Sequence, residues 1–341
     1  MALITLADIQ AAHQRIAGTA VRTPLIQLDP AKLQAAGAPA TSATIYLKDE
    51  SAQPIGSFKL RGAYNMIAQL SPEQLGRGVI TYSSGNHAQG VAYAARALGA
   101  KAVIVMPEGA PQVKRDATIA LGAEIVIVSN ASSDRKKKAE ALAAEHGYTI
   151  VPPYDHPNII AGQATCGVEI MQQLPNVDLV LSPVSGGGLL SGVATGVKLY
   201  ASEGPWTLDP QVWGCEPELA ADAAESYRTR SLVEWSAAET VRTICDGLRT
   251  QSLGELNFEH ILKFVDGIVT VSEAEIRAAT RIILQATNIV AEPSGAVTLA
   301  AALFHAHELP PAKRIVAIVS GGNIDPALKA QLESEPATVT V

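Results

Sequence analysis

Short apolar segments alternate along this chain with longer amphipathic, alanine-rich segments. The apolar segments are rich in β-branched residues and lack a regular polar alternation, which is typical of parallel strands covered on both faces. We predict strands at residues 78–84, 101–107, 123–129, 149–153, 179–185, 211–217 and 314–322. Residues 87–100 and 132–147 have the composition of helices, and the second segment ends at Gly147, a common residue at helix ends.

The repeated order of strand and helix predicts an α/β fold. In such a fold, helices cover both faces of open, mostly parallel, twisted sheets. Residues 80–152 form a compact run of four strand–helix units. We therefore predict a small domain at residues 80–152, inserted into a large domain that consists of residues 1–79 and 153–341.

Three of the predicted strands end in turns rich in serine and glycine. SPVSGGGLLSG spans residues 182–192, YSSGNHAQG spans 82–90 and VSGGNID spans 319–325. Parallel strands bring such turns together at the carboxyl edge of a sheet, where α/β proteins bind ligands. A glycine turn before a helix also offers N–H groups and the positive end of the helix dipole, so a phosphate is a natural ligand.

The residues alone also allow these turns a purely structural role. Glycine turns serve tight packing, and Ser84 or Asn86 can cap a helix without binding a ligand. The chain has neither a GxxxxGK(S/T) motif nor a GxGxxG motif with a later acidic residue. These absences disfavour nucleoside-triphosphate hydrolysis and dinucleotide binding of the Rossmann type.

Lys59 lies between Phe58 and Leu60 in the segment SFKLRGAYNM, near the start of a predicted helix. An apolar environment removes solvation from the ammonium group, lowers the pKa of the lysine and frees its amine as a nucleophile or base. A solvent-exposed helix lysine is the ordinary alternative, and the residues around Lys59 do not exclude it.

Taken together, these motifs resemble one enzyme family. SFKLRGA, SSGNHAQG, SGGGL, EPSGA and SGGNID occur in this order, and residues 154–170 also look like the family. The chain resembles the fold-type II pyridoxal-phosphate enzymes, and among them the threonine/serine dehydratase and serine racemase group. The resemblance implies a tryptophan synthase β-like fold with two open, mostly parallel, twisted sheets and helices on both faces. The resemblance covers about residues 5–326. It implies that the large domain binds pyridoxal 5'-phosphate and that the small domain at residues 80–152 is mobile.

The resemblance also implies an activity and two catalytic residues. The expected reaction is β-elimination of a β-hydroxy amino acid, foremost L-threonine or L-serine, to a 2-oxo acid and ammonia. Lys59 would hold the cofactor as a Schiff base and then remove the Cα proton. Ser84, on the opposite face, would reprotonate Cα and so permit racemisation.

The same resemblance implies the contacts of the cofactor and of the substrate. The implied cofactor contacts, besides Lys59, are Phe58, Asn86, Ser185, Gly186, Gly187, Gly188, Leu189, Gly247, Glu292 and Ser320. The implied substrate contacts are Ser83, Ser84, Asn86, His87, Arg135 and Thr250. Ser185 stands where the family often has a fourth glycine, so we expect altered detail in the phosphate turn rather than lost binding.

Ser320 bears on the type of reaction. A serine hydroxyl opposite the pyridine nitrogen cannot hold that nitrogen protonated as a carboxylate would, so the cofactor is a weaker electron sink. Expulsion of a β-substituent then competes well with transamination, which favours β-elimination.

Glu216 and Asp222 lie six residues apart in the segment CEPELAAD, with Ala220 between them. Two carboxylates and a backbone carbonyl suit a hard cation such as Mg²⁺ or Ca²⁺. Acidic residues at a helix start, stabilised by the helix dipole, are the plain alternative. Metal-activated serine racemases use a Glu, a carbonyl and an Asp at matching places, so the resemblance implies Mg²⁺ or another divalent cation such as Ca²⁺ or Mn²⁺.

Arg135 precedes three lysines at a predicted helix start, where a solvated helix face is the usual explanation. In the serine racemase-like branch, the matching arginine reaches the mouth of the active site, and Thr250 would lie opposite. A guanidinium group can bind a second carboxylate in bidentate fashion, which would favour an acidic substrate such as 3-hydroxyaspartate.

Composition narrows the setting of this chemistry. The chain has 341 residues and a formal net charge of -7, which argues against binding to nucleic acid or to anionic membranes. No run of about 18 uncharged apolar residues is present, and the first residues do not resemble a signal peptide. Cys166, Cys215 and Cys245 lie far apart and are odd in number, so we expect no disulfide framework and a cytoplasmic location.

Several alternatives stay open at this point. A serine racemase or a 3-hydroxyaspartate dehydratase would use the same residues, and a non-catalytic amino-acid binding protein would share the fold. The family is usually dimeric or tetrameric, so we expect a homodimer or homotetramer that takes a small amino-acid substrate. The last motif ends at Asp325, which leaves 16 residues. We therefore expect no additional C-terminal regulatory domain.

Overall fold

Two mostly parallel sheets, covered by helices, form the framework of the chain. The structure is a computed structural model that describes residues 2–110, 112–129, 132–203 and 209–336. Its strands are β1 (Leu25–Gln27), β2 (Thr44–Asp49), β3 (Val79–Tyr82), β4 (Ala102–Pro107), β5 (Glu124–Val128), β6 (Thr149–Ile150), β7 (Leu179–Pro183), β8 (Gln211–Pro217), β9 (Gly267–Val271) and β10 (Arg314–Val319). Its helices are α1 (Leu6–Ile16), α2 (Pro30–Ala35), α3 (Lys59–Ile67), α4 (Pro72–Arg77), α5 (Asn86–Ala97), α6 (Gln112–Ala120), α7 (Ser132–His146), α8 (Pro157–Gln173), α9 (Gly188–Glu203), α10 (Asp222–Thr229), α11 (Ala237–Thr240), α12 (Glu255–Phe264), α13 (Glu273–Ala286), α14 (Pro293–Phe304) and α15 (Pro326–Ser334).

The strand order defines both sheets. In the described part of the chain, the larger sheet has six strands in the order β1-β2-β10-β7-β8-β9, and the smaller has four in the order β5-β4-β3-β6. Strand β1 pairs antiparallel with β2, whereas the other neighbouring strands pair in parallel. The predicted α/β architecture with two mostly parallel sheets is confirmed.

The smaller sheet is built from one continuous part of the chain. Its strands lie between Val79 and Ile150, whereas the strands of the larger sheet come from residues 25–49 and 179–319. Helix α3, which starts at Lys59, packs against both α5 and α8 and so lies between the two sheets. The domain boundaries after residues 79 and 152, and the mobility of the small domain, stay predictions.

Each apolar segment that predicts a strand contains one, whereas β1, β2 and β9 are not predicted by the sequence pattern. Strand β2 ends in Lys48 and Asp49, and both are buried although their side chains are polar. Strand β9 lies at a sheet edge and alternates buried with half-buried positions. These strands lack the continuous apolar run by which the others are recognised.

Helices α8 and α9 pack closely because glycines face the contact. A Cβ atom at Gly192 would lie 2.7 Å from the backbone nitrogen of Ala164, and one at Gly196 would lie 2.4 Å from the carbonyl oxygen of the same residue. Larger residues at these positions would force the helices apart. Because α9 begins at Gly188, this contact fixes the helix that follows the glycine turn.

None of the helices in the described residues is long and apolar enough to cross a membrane. Cys166, Cys215 and Cys245 are buried as free thiols. Burial raises the pKa of each thiol, which keeps it protonated and unreactive.

Candidate active site

The strand order of the larger sheet brings three predicted site segments to one edge. Strands β10, β7 and β8 are parallel neighbours, so their carboxyl ends lie side by side. Ser320 follows β10, the glycine turn of residues 185–188 follows β7, and Glu216 lies at the end of β8. The turn after β3 of the smaller sheet reaches the same edge, because Asn86 forms a hydrogen bond with Glu292.

Lys59 is the first residue of α3 and is half-buried. Its Nζ donates a hydrogen bond to the carbonyl oxygen of Pro153 at 2.8 Å and lies 5.1 Å from the centre of the Phe58 ring. Burial lowers the pKa of the Lys59 amine to about 8. A larger fraction of this amine is therefore uncharged near neutral pH than in an exposed lysine, as a nucleophile or base requires.

Backbone contacts fix Lys59 relative to the end of β10. The Phe58 N–H donates to the Ser320 carbonyl at 3.0 Å, and the Gly322 N–H donates to the Gly56 carbonyl at 2.9 Å. Ser320 is only 4% exposed, and its hydroxyl lies 3.5 Å from a backbone carbonyl oxygen. That distance is at the limit for a hydrogen bond, so the Ser320 hydroxyl remains able to form a shorter hydrogen bond with a bound ligand.

The glycine turn ends at the N-terminus of α9. A Cβ atom at Gly186 would lie 2.5 Å from the Tyr154 ring, and Gly187 has a φ of +94°, a value that favours glycine. Gly188 and Leu189 are the first residues of α9 and are buried. The turn therefore combines close backbone approach with the positive end of a long helix, which fits a phosphate.

Ser185 contributes its side chain to this turn. Its hydroxyl lies 2.7 Å from the Thr250 hydroxyl and accepts a hydrogen bond from the Thr250 N–H at 3.2 Å. Thr250, which the resemblance implies as a substrate contact, is thus anchored beside the glycine turn. The departure from a fourth glycine has a structural use here.

Asn86, Glu292 and Asn323 form a hydrogen-bonded chain. Asn86 Nδ2 donates to Glu292 Oε1 at 2.7 Å, and Asn323 Nδ2 donates to Asn86 Oδ1 at 2.8 Å. Burial and then the charge of Asp246 raise the pKa of Glu292 to about 7. A Cβ atom at Gly321 would lie 2.7 Å from Glu292 Oε1, so the backbone after Ser320 passes directly against this carboxyl group.

Gly247 lies beside the same carboxyl group. Its N–H donates to Ser294 Oγ at 3.0 Å, and Ser294 lies in the first turn of α14, two residues after Glu292. A Cβ atom at Gly247 would lie 3.9 Å from Glu292 Oε1. The structure therefore brings these two implied cofactor contacts together.

The turn after β3 and the start of α5 carry four of the six implied substrate contacts, Ser83, Ser84, Asn86 and His87. Ser83 Oγ accepts a hydrogen bond from a backbone N–H in this turn at 3.3 Å, and Ser84 is half-buried. His87 is buried, with Nε2 3.0 Å from the Val151 carbonyl oxygen. Burial and then the charge of Lys59 lower the pKa of His87 to about 3, so its ring is neutral. A neutral ring cannot form an ion pair with a substrate carboxylate.

Glu216 and Asp222 are both buried, with exposed fractions of 0% and 1%. Glu216 accepts hydrogen bonds from the N–H groups of Ala223 and Ala224 at 3.1 and 2.8 Å. Asp222 Oδ2 is buried and has no hydrogen-bond partner among the described residues. Burial raises the pKa of Asp222 to about 7, and burial together with the charge of Asp222 raises that of Glu216 well above its usual value.

This pair of carboxylates has the chemistry of a cation site. Two buried carboxylates are costly to ionise unless a cation joins them. The described residues contain no group of three or more His, Cys, Asp and Glu side chains that could hold a metal ion. A cation here would therefore take further ligands from water and from backbone carbonyls, and Ala220 lies buried in the turn between the two acids. The donor set fits a hard cation.

Arg135 differs from the three lysines that follow it. It is half-buried, whereas Lys136, Lys137 and Lys138 are exposed. Its Nε is buried without a hydrogen-bond partner among the residues that the structure describes, and burial lowers its pKa. A desolvated guanidinium group with an unused donor has the properties that an anion-binding role requires.

Comparison with known proteins identifies the family. The profile of the family described as "Pyridoxal-phosphate dependent enzyme" matches residues 16–321. The chain belongs to this family. The predicted resemblance is confirmed, and pyridoxal phosphate is the cofactor that the family uses.

The relatives of this pyridoxal-phosphate dependent enzyme include ammonia-lyases and a racemase. The chain is 41% identical over 285 residues to L-threo-3-hydroxyaspartate ammonia-lyase from Saccharomyces cerevisiae, which covers 83% of this chain and 84% of that protein. It is 37% identical over 325 residues to serine racemase from Schizosaccharomyces pombe, covering 95% and 96%. The solved structure of threonine deaminase from T.th. matches with a TM-score of 0.85 and 41% identity, covering 94% of this chain and 99% of that one.

The residues of this pyridoxal-phosphate dependent enzyme fit its cofactor. Lys59 offers a desolvated amine, and Phe58 lies beside it. Residues 185–189 offer a glycine turn at a helix N-terminus, where added Cβ atoms would collide with the surrounding structure. Ser320 and Glu292 add a hydroxyl and a carboxyl group of raised pKa at the same edge of the sheet.

Four further residues shape the site without being among the predicted contacts. Tyr154 packs against the glycine turn, Asn257 donates to the Gly186 carbonyl, and Gly321 and Asn323 contact the Asn86–Glu292 pair. Gly321 and Asn323 lie in the SGGNID motif and could have been included on that signal. Tyr154 lies only in a stretch that looks like the family, and Asn257 lies in no motif, so the sequence offers no signal for their roles.

Proposed function

We propose that this enzyme catalyses β-elimination of a β-hydroxy amino acid, foremost L-threonine or L-serine, to a 2-oxo acid and ammonia. The observation that carries the proposal is the Lys59 amine, whose pKa of about 8 suits proton exchange near neutral pH. Relatives named threonine deaminase and L-threo-3-hydroxyaspartate ammonia-lyase support the proposal.

The residues of the site would divide the work of this reaction. Bound here, pyridoxal phosphate supplies an electron sink for the negative charge that develops at Cα. Lys59 Nζ would take the Cα proton, and the N–H groups of residues 185–189 would hold the phosphate. Ser320 would offer the pyridine nitrogen a neutral hydroxyl instead of a carboxylate, so loss of the β-hydroxyl would compete well with transamination. Residues 83–87 hold the substrate carboxylate.

Removal of the Lys59 amine tests this assignment. Lys59→Ala should lower turnover of L-threonine and L-serine by about a factor of 1,000 or more, because both the nucleophile and the base are lost. Release of 2-oxo acid and ammonia is the measurement, and borohydride reduction followed by peptide mapping should place the cofactor on Lys59. A Lys59→Ala protein with full turnover would contradict the mechanism. Cofactor binding without turnover of any β-hydroxy amino acid would instead indicate an amino-acid binding protein.

Serine racemisation is a second candidate activity, which the similarity to a serine racemase supports. Ser84 would hold a proton on the face opposite Lys59 and return it to Cα from Oγ, which inverts the configuration. Ser84→Ala should therefore abolish conversion of L-serine to D-serine while elimination from L-serine continues. Chiral chromatography of the reaction mixture is the measurement, and racemisation that persists in Ser84→Ala would contradict this role.

An acidic substrate, 3-hydroxyaspartate, is favoured by the buried Nε of Arg135, which has no hydrogen-bond partner among the described residues. A charge-assisted contact to the second carboxylate predicts that Arg135→Met lowers kcat/KM for 3-hydroxyaspartate by about 10- to 100-fold. The same variant should change kcat/KM for L-serine by less than about threefold. Lys136→Met, which removes the exposed neighbouring charge, is the control. Equal losses on both substrates would argue against this specificity.

We further propose that Glu216, Asp222 and the Ala220 carbonyl bind a divalent cation, Mg²⁺ or otherwise Ca²⁺ or Mn²⁺. The two buried carboxylates support the proposal, as does Asp222 Oδ2, which has no hydrogen-bond partner in the part of the chain that the structure describes. The cation would stabilise β8 and α10 next to the glycine turn, since β8 and β7 are neighbours. A chelator that changes neither stability nor activity would contradict it.

The setting of the enzyme is also a proposal. The buried free thiols support a reducing, cytoplasmic location.

We propose a homodimer or homotetramer, which light scattering of the purified protein would establish. We also propose that the small domain at residues 80–152 closes over the substrate and excludes water, as lids do in many enzymes.

A further inference from the structure

The carbonyl group of Gly186 accepts hydrogen bonds from helix α12 and from Gly254, the residue that precedes this helix. Its oxygen accepts a hydrogen bond from the Gly254 N–H at 3.1 Å and another from Asn257 Nδ2 at 2.7 Å. Asn257 is fully buried, and a Cβ atom at Gly187 would lie only 2.8 Å from its Cβ. Asn257 thus packs directly beneath the glycine turn and binds the first glycine of that turn.

These contacts fix the direction of one peptide plane. In a trans peptide the C=O and the following N–H point in opposite directions. Because the Gly186 carbonyl points toward Asn257, the N–H of Gly187 points to the other side of the turn. If this peptide were reversed, a carbonyl oxygen would replace an N–H group there, and a carbonyl repels a phosphate. The hydrogen bond from Asn257 to the Gly186 carbonyl therefore affects anion binding, because it sets the side of the turn to which the Gly187 N–H points.

Asp155 holds the start of α12 in place. Its Oδ1 accepts hydrogen bonds from the N–H groups of Leu256 and Asn257 at 3.1 and 3.2 Å. A Cβ atom at Gly254 would lie 2.4 Å from the Asp155 carboxyl group, so the two segments touch. Asp155 comes two residues after Pro153, whose carbonyl accepts from the Lys59 amine. One short segment therefore contacts Lys59 and, through α12, the glycine turn.

We infer that Asn257, oriented by Asp155, is a positioning residue that sets the phosphate-binding orientation of the Gly186–Gly187 peptide. The inference rests on the proposed function only in that residues 185–189 bind the cofactor phosphate. Asn257 does not contact the phosphate itself. It acts through the Gly186 carbonyl, and it makes the turn selective for cofactor that carries a phosphate.

The test compares pyridoxal phosphate with pyridoxal, which lacks the phosphate. Asn257→Asp keeps the shape of the side chain but replaces the donor with an acceptor that faces the Gly186 carbonyl. In spectroscopic titrations of apoprotein, Asn257→Asp should weaken binding of pyridoxal phosphate by about tenfold. Binding of pyridoxal should change by less than about twofold, since it makes no use of the turn.

Asn65→Asp is the matched control. Asn65 is also buried, and its Nδ2 also donates to a backbone carbonyl, that of Asn158 at 2.6 Å. The substitution should leave the ratio of the two dissociation constants unchanged even if it lowers stability. Asp155→Ala should lower the phosphate preference in the same direction as Asn257→Asp, and it carries the test if Asn257→Asp does not fold.

The inference would be overturned if Asn257→Asp and Asp155→Ala weakened binding of pyridoxal phosphate and of pyridoxal equally, or weakened neither. Asn257 would then have a structural role alone. Failure of the unmodified protein to bind pyridoxal phosphate would overturn the proposed function, and this inference with it. The two failures are distinguishable because one appears only in the variants.

Discussion

Lys59 pairs its amine with a backbone carbonyl and not with a carboxylate. A neutral carbonyl accepts the hydrogen bond but stabilises the positive charge far less than a carboxylate does. Burial therefore dominates, and the pKa of the amine falls to about 8. At the scale of one residue, this choice of partner keeps the amine available for chemistry.

The lowered pKa of Lys59 predicts a pH dependence of stability in the apoprotein. Between about pH 8 and pH 10.5 the unfolded chain still holds the Lys59 proton whereas the folded chain has released it, so the free energy of unfolding rises with pH. The rise due to Lys59 should be about 1–3 kcal/mol. Urea unfolding of apoprotein and of Lys59→Met across this range is the measurement. Identical pH dependence in the two proteins would exclude this effect.

The proposed cation site predicts that the stabilisation by Mg²⁺ depends on pH. Asp222 and Glu216 have raised pKa values, so without a cation each ionises at a cost to the folded state as pH rises. A divalent cation must displace these protons, and its affinity should therefore grow with pH through about 7. Added Mg²⁺ should raise Tm more at about pH 8 than at about pH 6. Asp222→Asn should lose most of the Mg²⁺ effect, and an equal effect in that variant would place the cation elsewhere.

Helix α3, which begins at Lys59, is held by a buried ionic network. Arg61 makes paired hydrogen bonds to Glu50, at 2.8 and 2.8 Å, and to Glu169, at 2.6 and 2.9 Å. Lys48 bonds to Glu169 at 2.6 Å, and all four side chains are at most 2% exposed. The network joins α3 to the end of β2 and to α8. The two positive side chains, Arg61 and Lys48, balance the two negative ones, Glu50 and Glu169. The network therefore carries no net charge, which agrees with burial being the cause that lowers the pKa of Lys59.

Loss of one member of this network should destabilise the protein strongly. Arg61→Met leaves Glu50 and Glu169 with an uncompensated buried charge, so the free energy of unfolding should fall by about 3–5 kcal/mol. The exposed pair Arg77–Glu73 is the comparison, and Glu73→Ala should cost less than about 1 kcal/mol. Chemical denaturation of both variants is the measurement. A small loss in Arg61→Met would mean that the network does not anchor α3.

At the scale of the whole molecule, an ion pair joins a helix beside the smaller sheet to a loop beside the larger sheet. Lys114 lies on α6, beside the smaller sheet, and bonds to Asp246 in the loop that also carries Gly247. The side chains are 19% and 41% exposed. The pair joins α6, in the proposed small domain, to the loop beside Glu292, so it would favour closure if that domain moves as proposed.

A double-mutant cycle tests this connection. Lys114→Met and Asp246→Asn should each raise KM for the amino acid by about two- to fivefold, and the double variant should show no further rise. The coupling should be about 0.5–1 kcal/mol and should shrink in high salt, which screens a partly exposed pair. Additive effects of the two substitutions would show that the pair does not assist closure.

Much of the framework could be predicted because its signals are local. Continuous β-branched runs predict buried parallel strands, and seven of the strands follow this rule. Strand β2 does not, because Lys48 is buried with Glu169, an ion-pair partner that lies 121 residues away in the sequence. Local patterns cannot reveal such compensation. The same limit applies to Asn257, whose role depends on a glycine about 70 residues earlier.

The sequence by itself determined the α/β fold, the family and the candidate chemistry of Lys59, Ser320 and the glycine turn, because these depend on short motifs and on the pattern of apolar residues. Only the tertiary structure decided the electrostatic state of the site. The pKa values of Lys59, Asp222 and Glu292 depend on burial and on neighbours from distant segments. Desolvation and charge act through space, so they appear only once the strand ends lie side by side.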